Sequence, residues 1–163
     1  MSIPNGNIIH PFKRYQIAPV WRAEKPGRGR FREFMQCDVD IVGLADMMAD
    51  AECLAVGGAV LKALGIDDFV IRINNRKLLT AMLARFDIEE GGPALGVLRT
   101  IDKLPKIGED NVRRLLAEEN ELSTIAINGI FEFLSLPADA LFEWFGDDDT
   151  GRLGAEELNK VLE

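Results

Sequence analysis

At 163 residues and 18.1 kDa, with 47% apolar residues, the chain has the length of one domain and enough apolar content for a sizeable core. Its net charge of −8 and isoelectric point near 4.8 make the surface as a whole a poor match for nucleic acid or an anionic membrane. There is no run of about 18 or more apolar residues, and the start MSIPNGNIIHPFKRYQ lacks an apolar leader, so neither a membrane span nor export is expected and the cytoplasm is the default address.

Taken in chain order, Tyr15 to Glu24 and Arg30 to Val42 alternate with the period of strands, and KPGRG between them is turn chemistry, which predicts a long hairpin. In the second strand Phe31, Met35, Cys37, Val39 and Ile41 share a face expected to be core, broken only by Glu33. The other face carries Arg30, Arg32, Phe34, Gln36, Asp38 and Asp40, and Arg22 and Glu24 of the first strand can lie beside it. Leu44 to Leu64 has helical spacing weakened by Gly57 and Gly58, with Gly65 as its stop. Phe69 to Ile73 reads as a short strand, and Asn74 or Asn75 can cap a helix running from Arg76 through Leu83.

After Ile88 the texture becomes helical and acidic. Helices are expected near Gly92 to Lys103, Glu109 to Glu119, Ser123 to Leu134, Ala138 to Phe145 and Gly154 to Leu162, with Pro105 and Pro137 at boundaries. The simplest partition is a core unit over 1–85 and a small helical unit over 86–163, the latter marginal unless docked on the first.

Charge is unevenly spread. Between Pro11 and Gln36, seven basic residues (Lys13, Arg14, Arg22, Lys25, Arg28, Arg30, Arg32) face two acidic ones (Glu24, Glu33), a local +5 in an acidic chain. Composition alone fits either a solvated turn or a binding element. The strand pattern favours binding, because arginines flanking a basic turn suit a polyphosphate, being permanently charged and bidentate toward phosphate oxygens. Phe34 between them can stack on a base, and Asp40 with Asp38 at the far end can hold an ammonium group.

Three other features carry less. Cys37 and Cys53 lack metal-ligand spacing and are expected to be reduced, packed thiols. GDDDTGRLGAEEL echoes a calcium loop, but placing Gly151 at the required glycine puts Gly146 where the first aspartate belongs, so an acidic turn and helix start is expected. His10 beside Pro11 has no partner residues at ligand spacing and is assigned no chemistry.

VWRAEKPGRGRFREFMQCDVDIVG resembles motif 2 of the class II aminoacyl-tRNA synthetases, and FVIRINNRKLL in the same order narrows the resemblance to the histidyl-tRNA synthetases. The resemblance implies an α+β fold: part of the class II antiparallel sheet, namely the motif 2 hairpin plus one further strand, with flanking helices and a following helical insertion. It also implies ligation of histidine to tRNA, driven by ATP with Mg2+. Arg22 is similar to the arginine that binds the ATP α-phosphate and serves catalysis. Glu24 matches the residue at the adenine end, Phe34 the ring on adenine, and Arg30 and Arg32 the arginines on the β- and γ-phosphates. Gln36 and Asp40 match histidine-pocket residues, Asp40 standing where some branches have glutamate, and Lys25 and Arg28 lie in the loop that meets the tRNA acceptor end. No metal ligands are implied on the protein itself.

Nothing in the 163 residues resembles motif 1, motif 3 or the second histidine-binding segment, so the isolated chain is expected to bind nucleotide weakly and not to complete adenylation. A homodimer is implied for the parent enzyme, and self-association through unpaired strand edges is expected of this chain. The alternatives are a non-catalytic synthetase paralogue acting as a regulatory or binding subunit, and a plain RNA-binding module built on the basic hairpin.

Overall fold

The alternating runs on either side of KPGRG form an antiparallel hairpin in the computed structural model, which describes residues 9–163. Its strands are β1 (Phe12–Trp21) and β2 (Glu33–Val42), paired in one register from Phe12 opposite Val42 to Trp21 opposite Glu33. β1 starts and stops three residues ahead of the expected Tyr15–Glu24, whereas β2 starts three residues after the expected Arg30 and ends at Val42 as expected. Beyond it, Arg22 N–H donates to Arg32 O at 2.8 Å, and a bridge between Gly27 and Arg30 closes the tip. Between those pairs Ala23 to Pro26 on one arm face Phe31 alone on the other, so regular pairing cannot continue. Gly29, at φ +75°, supplies the left-handed residue of the tip.

The first of two compact units, Met1–Ile71, contains this hairpin and α1 (Met47–Ala63). Asp46 caps α1 by accepting from Met48 N–H at 2.9 Å. Gly65 ends it as expected, with Gly65 N–H bonded to Lys62 O and Ile66 N–H to Leu61 O around a φ of +76°. The segment expected as a third strand, Phe69 to Ile73, has no ladder. Phe69 and Ile71 instead lie beside Gly58 of α1, and the described sheet keeps two strands.

The expected core face of the hairpin is largely open. Phe31 and Met35 are 67% and 63% exposed and Cys37 is exposed, whereas Val39 and Ile41 are half-buried. The reason is that α1 covers only the end remote from the turn, where Cys53, Val56 and Val60 face Val39 and Ile41 and Lys13 donates to Glu52 at 2.6 Å. The thiols expected to be packed are therefore an exposed Cys37 and a half-buried Cys53.

The second unit, Arg72–Glu163, is all helix: α2 (Arg76–Arg85), α3 (Gly92–Ile101), α4 (Leu104–Ile107), α5 (Glu109–Glu118), α6 (Thr124–Ser135), a 3-10 turn (Ala138–Ala140), α7 (Leu141–Phe145) and α8 (Asp149–Leu162). Asn75 caps α2, accepting from Lys77 N–H at 2.9 Å. Asp148 caps α8, accepting from Gly151 N–H at 2.8 Å, so the acidic GDDDTG run opens this helix ahead of the expected Gly154. Every buried residue among those described belongs to this unit, with Leu78, Met82, Val97, Val112, Leu116 and Ile130 at its centre. The helices after residue 86 thus pack on α2, which the expected partition placed in the first unit, and the division between the two compact units falls ahead of α2, not after residue 85. Gly154 lets α8 close on α2, since a Cβ there would sit 3.0 Å from Leu78 N. No helix among the described residues is long and apolar enough to cross a membrane.

Candidate functional site

At the turn end of the hairpin, Arg22, Glu24, Gly29, Arg30, Phe31 and Phe34 line a concavity of about 440 Å³. Phe34 stands opposite Val20, and Arg22 follows on the same face as the next outward residue. Its guanidinium carbon lies 4.9 Å from the Phe34 ring centroid, and its Nη2 reaches Gln36 Oε1 at 3.4 Å. Arg30 crosses the turn to Glu24, donating from Nε to Oε2 at 2.6 Å with a second contact from Nη2. Arg32 Nε donates to the Glu24 carbonyl at 3.4 Å. The irregular arm Ala23 to Pro26 is what bends Glu24 back between these arginines. Lys25 and Arg28 are exposed on the loop, Arg28 at its tip.

Phe31 belongs to this concavity although strand alternation assigns it to the opposite face. Alternation applies only inside the ladder, and Phe31 lies outside it.

Toward the far end of the same face, Gln36 Nε2 donates to Asp38 Oδ1 at 2.6 Å. Asp40 stands directly opposite Arg14, which donates from Nε to Oδ2 at 2.6 Å. Phe34 and Asp40 are six positions apart on one strand, about 20 Å at the usual rise per residue. The structure therefore gathers Arg22, Glu24, Arg30 and Phe34 around one concavity and sets Gln36 beside Arg22. It leaves Asp40 at the other end in the company of Arg14. Sequence reasoning missed Arg14 as a member of this face because the first strand was read from Tyr15. Once the register is known, Arg14 and Gln16 fall on it by parity.

The family profile described as histidyl-tRNA synthetase matches residues 9–101, which contain the whole hairpin and α1 to α3. The chain belongs to the histidyl-tRNA synthetase family. A histidine–tRNA ligase of Paracoccus denitrificans is 54% identical over 113 residues, 68% of this chain and 23% of the relative. One from Rhodopirellula baltica is 39% identical over 162 residues, 96% of this chain and 36% of the relative. The crystal structure of histidyl-tRNA synthetase from Nostoc sp. PCC 7120 superposes with a TM-score of 0.80 at 32% identity, covering 96% of this chain and 37% of that one. This histidyl-tRNA synthetase family member thus spans between 23% and 37% of the length of these relatives. Its two-stranded antiparallel sheet with flanking helices is the α+β arrangement that the resemblance implied, without the further strand.

Proposed function

We propose that these residues form the nucleotide-binding and amino-acid-binding wall of a histidine–tRNA ligase, an ATP-dependent enzyme that activates histidine and transfers it to tRNA. The observation that supports this best is the order of groups along one sheet face. Arg30, Glu24, Arg22 and Phe34 surround a concavity at the turn, and Gln36, Asp38 and Asp40 follow in line. A nucleotide and an amino acid joined end to end match that order.

In the proposed reaction a histidine carboxylate oxygen attacks the α-phosphorus, the bond to the bridging oxygen of pyrophosphate breaks, and a mixed anhydride forms, whose acyl carbon is then attacked by a terminal ribose hydroxyl of tRNA with release of AMP. Arg22 holds the α-phosphate and neutralises charge as it builds there. Arg30 and Arg32 take the β- and γ-phosphates, Phe34 stacks on adenine, and Glu24 meets its outer edge. Gln36 and Asp40 hold histidine. Lys25 and Arg28 meet the acceptor end of tRNA as a salt-sensitive contact. Magnesium is read as part of the substrate, MgATP, where phosphate-bound metal supplies further charge neutralisation. Glu24, the carboxylate at the concavity, is already engaged by Arg30, which suits a metal held by phosphate oxygens. A homodimeric parent, self-association of this chain and a cytoplasmic setting belong to the same reading.

The test is titration of the 163-residue chain with MgATP and with a non-hydrolysable histidyl-adenylate analogue. Binding is expected to be weak, and Arg22→Ala is expected to reduce it roughly tenfold or more, as loss of a charge-assisted contact would. An equal loss in Arg114→Ala, an exposed arginine of α5 in the other unit, would overturn the assignment. The chain alone is expected not to exchange pyrophosphate into ATP in response to histidine. Exchange at the rate of a full synthetase would show that one wall is not all that these residues provide.

A further inference from the structure

Glu24 and Arg30 are assigned to opposite ends of one nucleotide, yet in the structure they hold each other across the turn. Nε of Arg30 donates to Glu24 Oε2 at 2.6 Å, and Nη2 closes on the same oxygen. That edge of a guanidinium is one by which it grips a phosphate with two parallel bonds. The Arg30 backbone is pinned by two 3.0 Å hydrogen bonds with Gly27, so its side chain alone has to move to release Glu24. Both side chains line the concavity and are 64% (Arg30) and 47% (Glu24) exposed, so a ligand can reach and part them.

We propose that the Glu24–Arg30 pair determines specificity: it withholds Arg30 from phosphate until a base bearing an exocyclic amine takes Glu24. The inference rests on the reading of Glu24 as the partner of the adenine edge and of Arg30 as a partner of the β- and γ-phosphates. The adenine amine donates to a carboxylate, so the base replaces the donors that Glu24 loses when Arg30 leaves. A triphosphate without a base has to break the pair as well, but it leaves Glu24 without a donor and close to phosphate oxygens of the same sign. The two ends of the nucleotide therefore bind cooperatively, and base-free polyphosphate is disfavoured. Because both side chains are open to solvent, the pair changes affinity by a small factor, about two- to fivefold.

The 163-residue chain is titrated calorimetrically with MgATP and with magnesium tripolyphosphate at about 0.15 M salt, where exposed charges more than about 8 Å apart are largely screened. Glu24→Gln is expected to bind tripolyphosphate about threefold more tightly than wild type, and MgATP no more tightly. Glu33→Gln removes the same charge from an exposed position on the other face of β2 and should stay near wild type for both ligands. Arg30→Met should by itself weaken MgATP about threefold or more, and in that background Glu24→Gln should add no gain for tripolyphosphate. A tighter affinity is the signal, so a loss of folded protein cannot imitate it. The proposal is overturned if Glu24→Gln binds tripolyphosphate no better than wild type, if MgATP gains as much, if Glu33→Gln gains as much, or if the gain persists without Arg30. If wild type does not bind MgATP, or Arg30→Met leaves that affinity unchanged, the underlying reading of the concavity falls and the inference falls with it.

Discussion

The Arg22 guanidinium rests over the face of Phe34, 4.9 Å from its centroid, and both side chains line the concavity proposed to take a nucleotide. In the proposed reading a base taking the ring face slides between or beside these two groups, so ring and cation would act on the same ligand. Phe34→Ala is expected to weaken binding of adenine nucleotides by about 1 to 2 kcal/mol, the value of one base–aromatic stack. Inorganic triphosphate, which has no base, should be affected much less. Isothermal titration with both ligands checks this, and equal losses would remove Phe34 from the base site.

Lys77 and Glu157 tie the start of α2 to α8, together with a 2.7 Å hydrogen bond from Asn75 Nδ2 to Glu157 Oε2. The hydrogen bond from Lys77, and after it that from Asn75, holds the Glu157 carboxyl below its ordinary value of 4.5. A carboxyl depressed in the folded state stabilises it fully above the unfolded value and ceases to do so as pH falls through the folded one. Glu157→Gln is therefore expected to cost about 1 kcal/mol at neutral pH, a modest figure for a pair open in part to solvent. That gap should close as pH drops below about 4.5. Thermal melts of both proteins across that range check it, and a gap that widens on acidification would reverse the assignment.

Gly151 sits on the first turn of α8, where an added Cβ would fall 2.1 Å from Cδ1 of Phe145, a ring 3% exposed in the core of the helical unit. The ring also packs edge-on against Trp144 and Phe133, so it has little room to yield. Gly151→Ala is expected to destabilise the chain by about 2 kcal/mol or more, as overpacking does. Gly92→Ala, at the start of α3 with nothing within 4 Å of the new Cβ, is the matched control and should melt like wild type. Denaturant melts followed by tryptophan fluorescence compare the two.

On the face of the hairpin away from the concavity, Ile17 and Trp21 of β1 and Met35 of β2 are 63%, 67% and 63% exposed. Contiguous apolar surface of this kind favours association, and an unpaired strand edge adds main-chain donors and acceptors. The 163-residue chain is expected to self-associate with rising concentration, and Trp21→Glu with Ile17→Lys should shift it toward monomer. Light scattering of both forms checks this, and a wild type that stays monomeric throughout would count against it.

Much of the site was legible in advance because alternation along a strand is a local property. Phe34, Gln36, Asp38 and Asp40 share a face whatever the rest of the chain does, and caps such as Asn75 and Gly65 announce themselves by residue type. The pairing of Arg14 with Asp40 was not legible. The two arms of the turn are unequal, with Ala23 to Pro26 against Phe31, so counting outward from KPGRG does not yield the ladder register. The inclusion of Phe31 in the concavity follows from the same inequality.

Burial was the other matter that pattern could not decide. Phe31, Met35 and Cys37 read as core by their spacing, but spacing shows only which residues share a face, and α1 covers that face only toward its end remote from the turn, around Val39 and Ile41. The acidic helical stretch was expected to need docking on what precedes it, and α8 does close on α2 at Gly154 within one core, a pairing that pattern alone could not name. The sequence by itself determined the elements, their caps and the order of chemical groups along one strand face, because each depends on neighbours within a few residues. Only the tertiary structure decided which residues stand opposite one another and which are covered, because both depend on chain segments brought together from tens of residues apart.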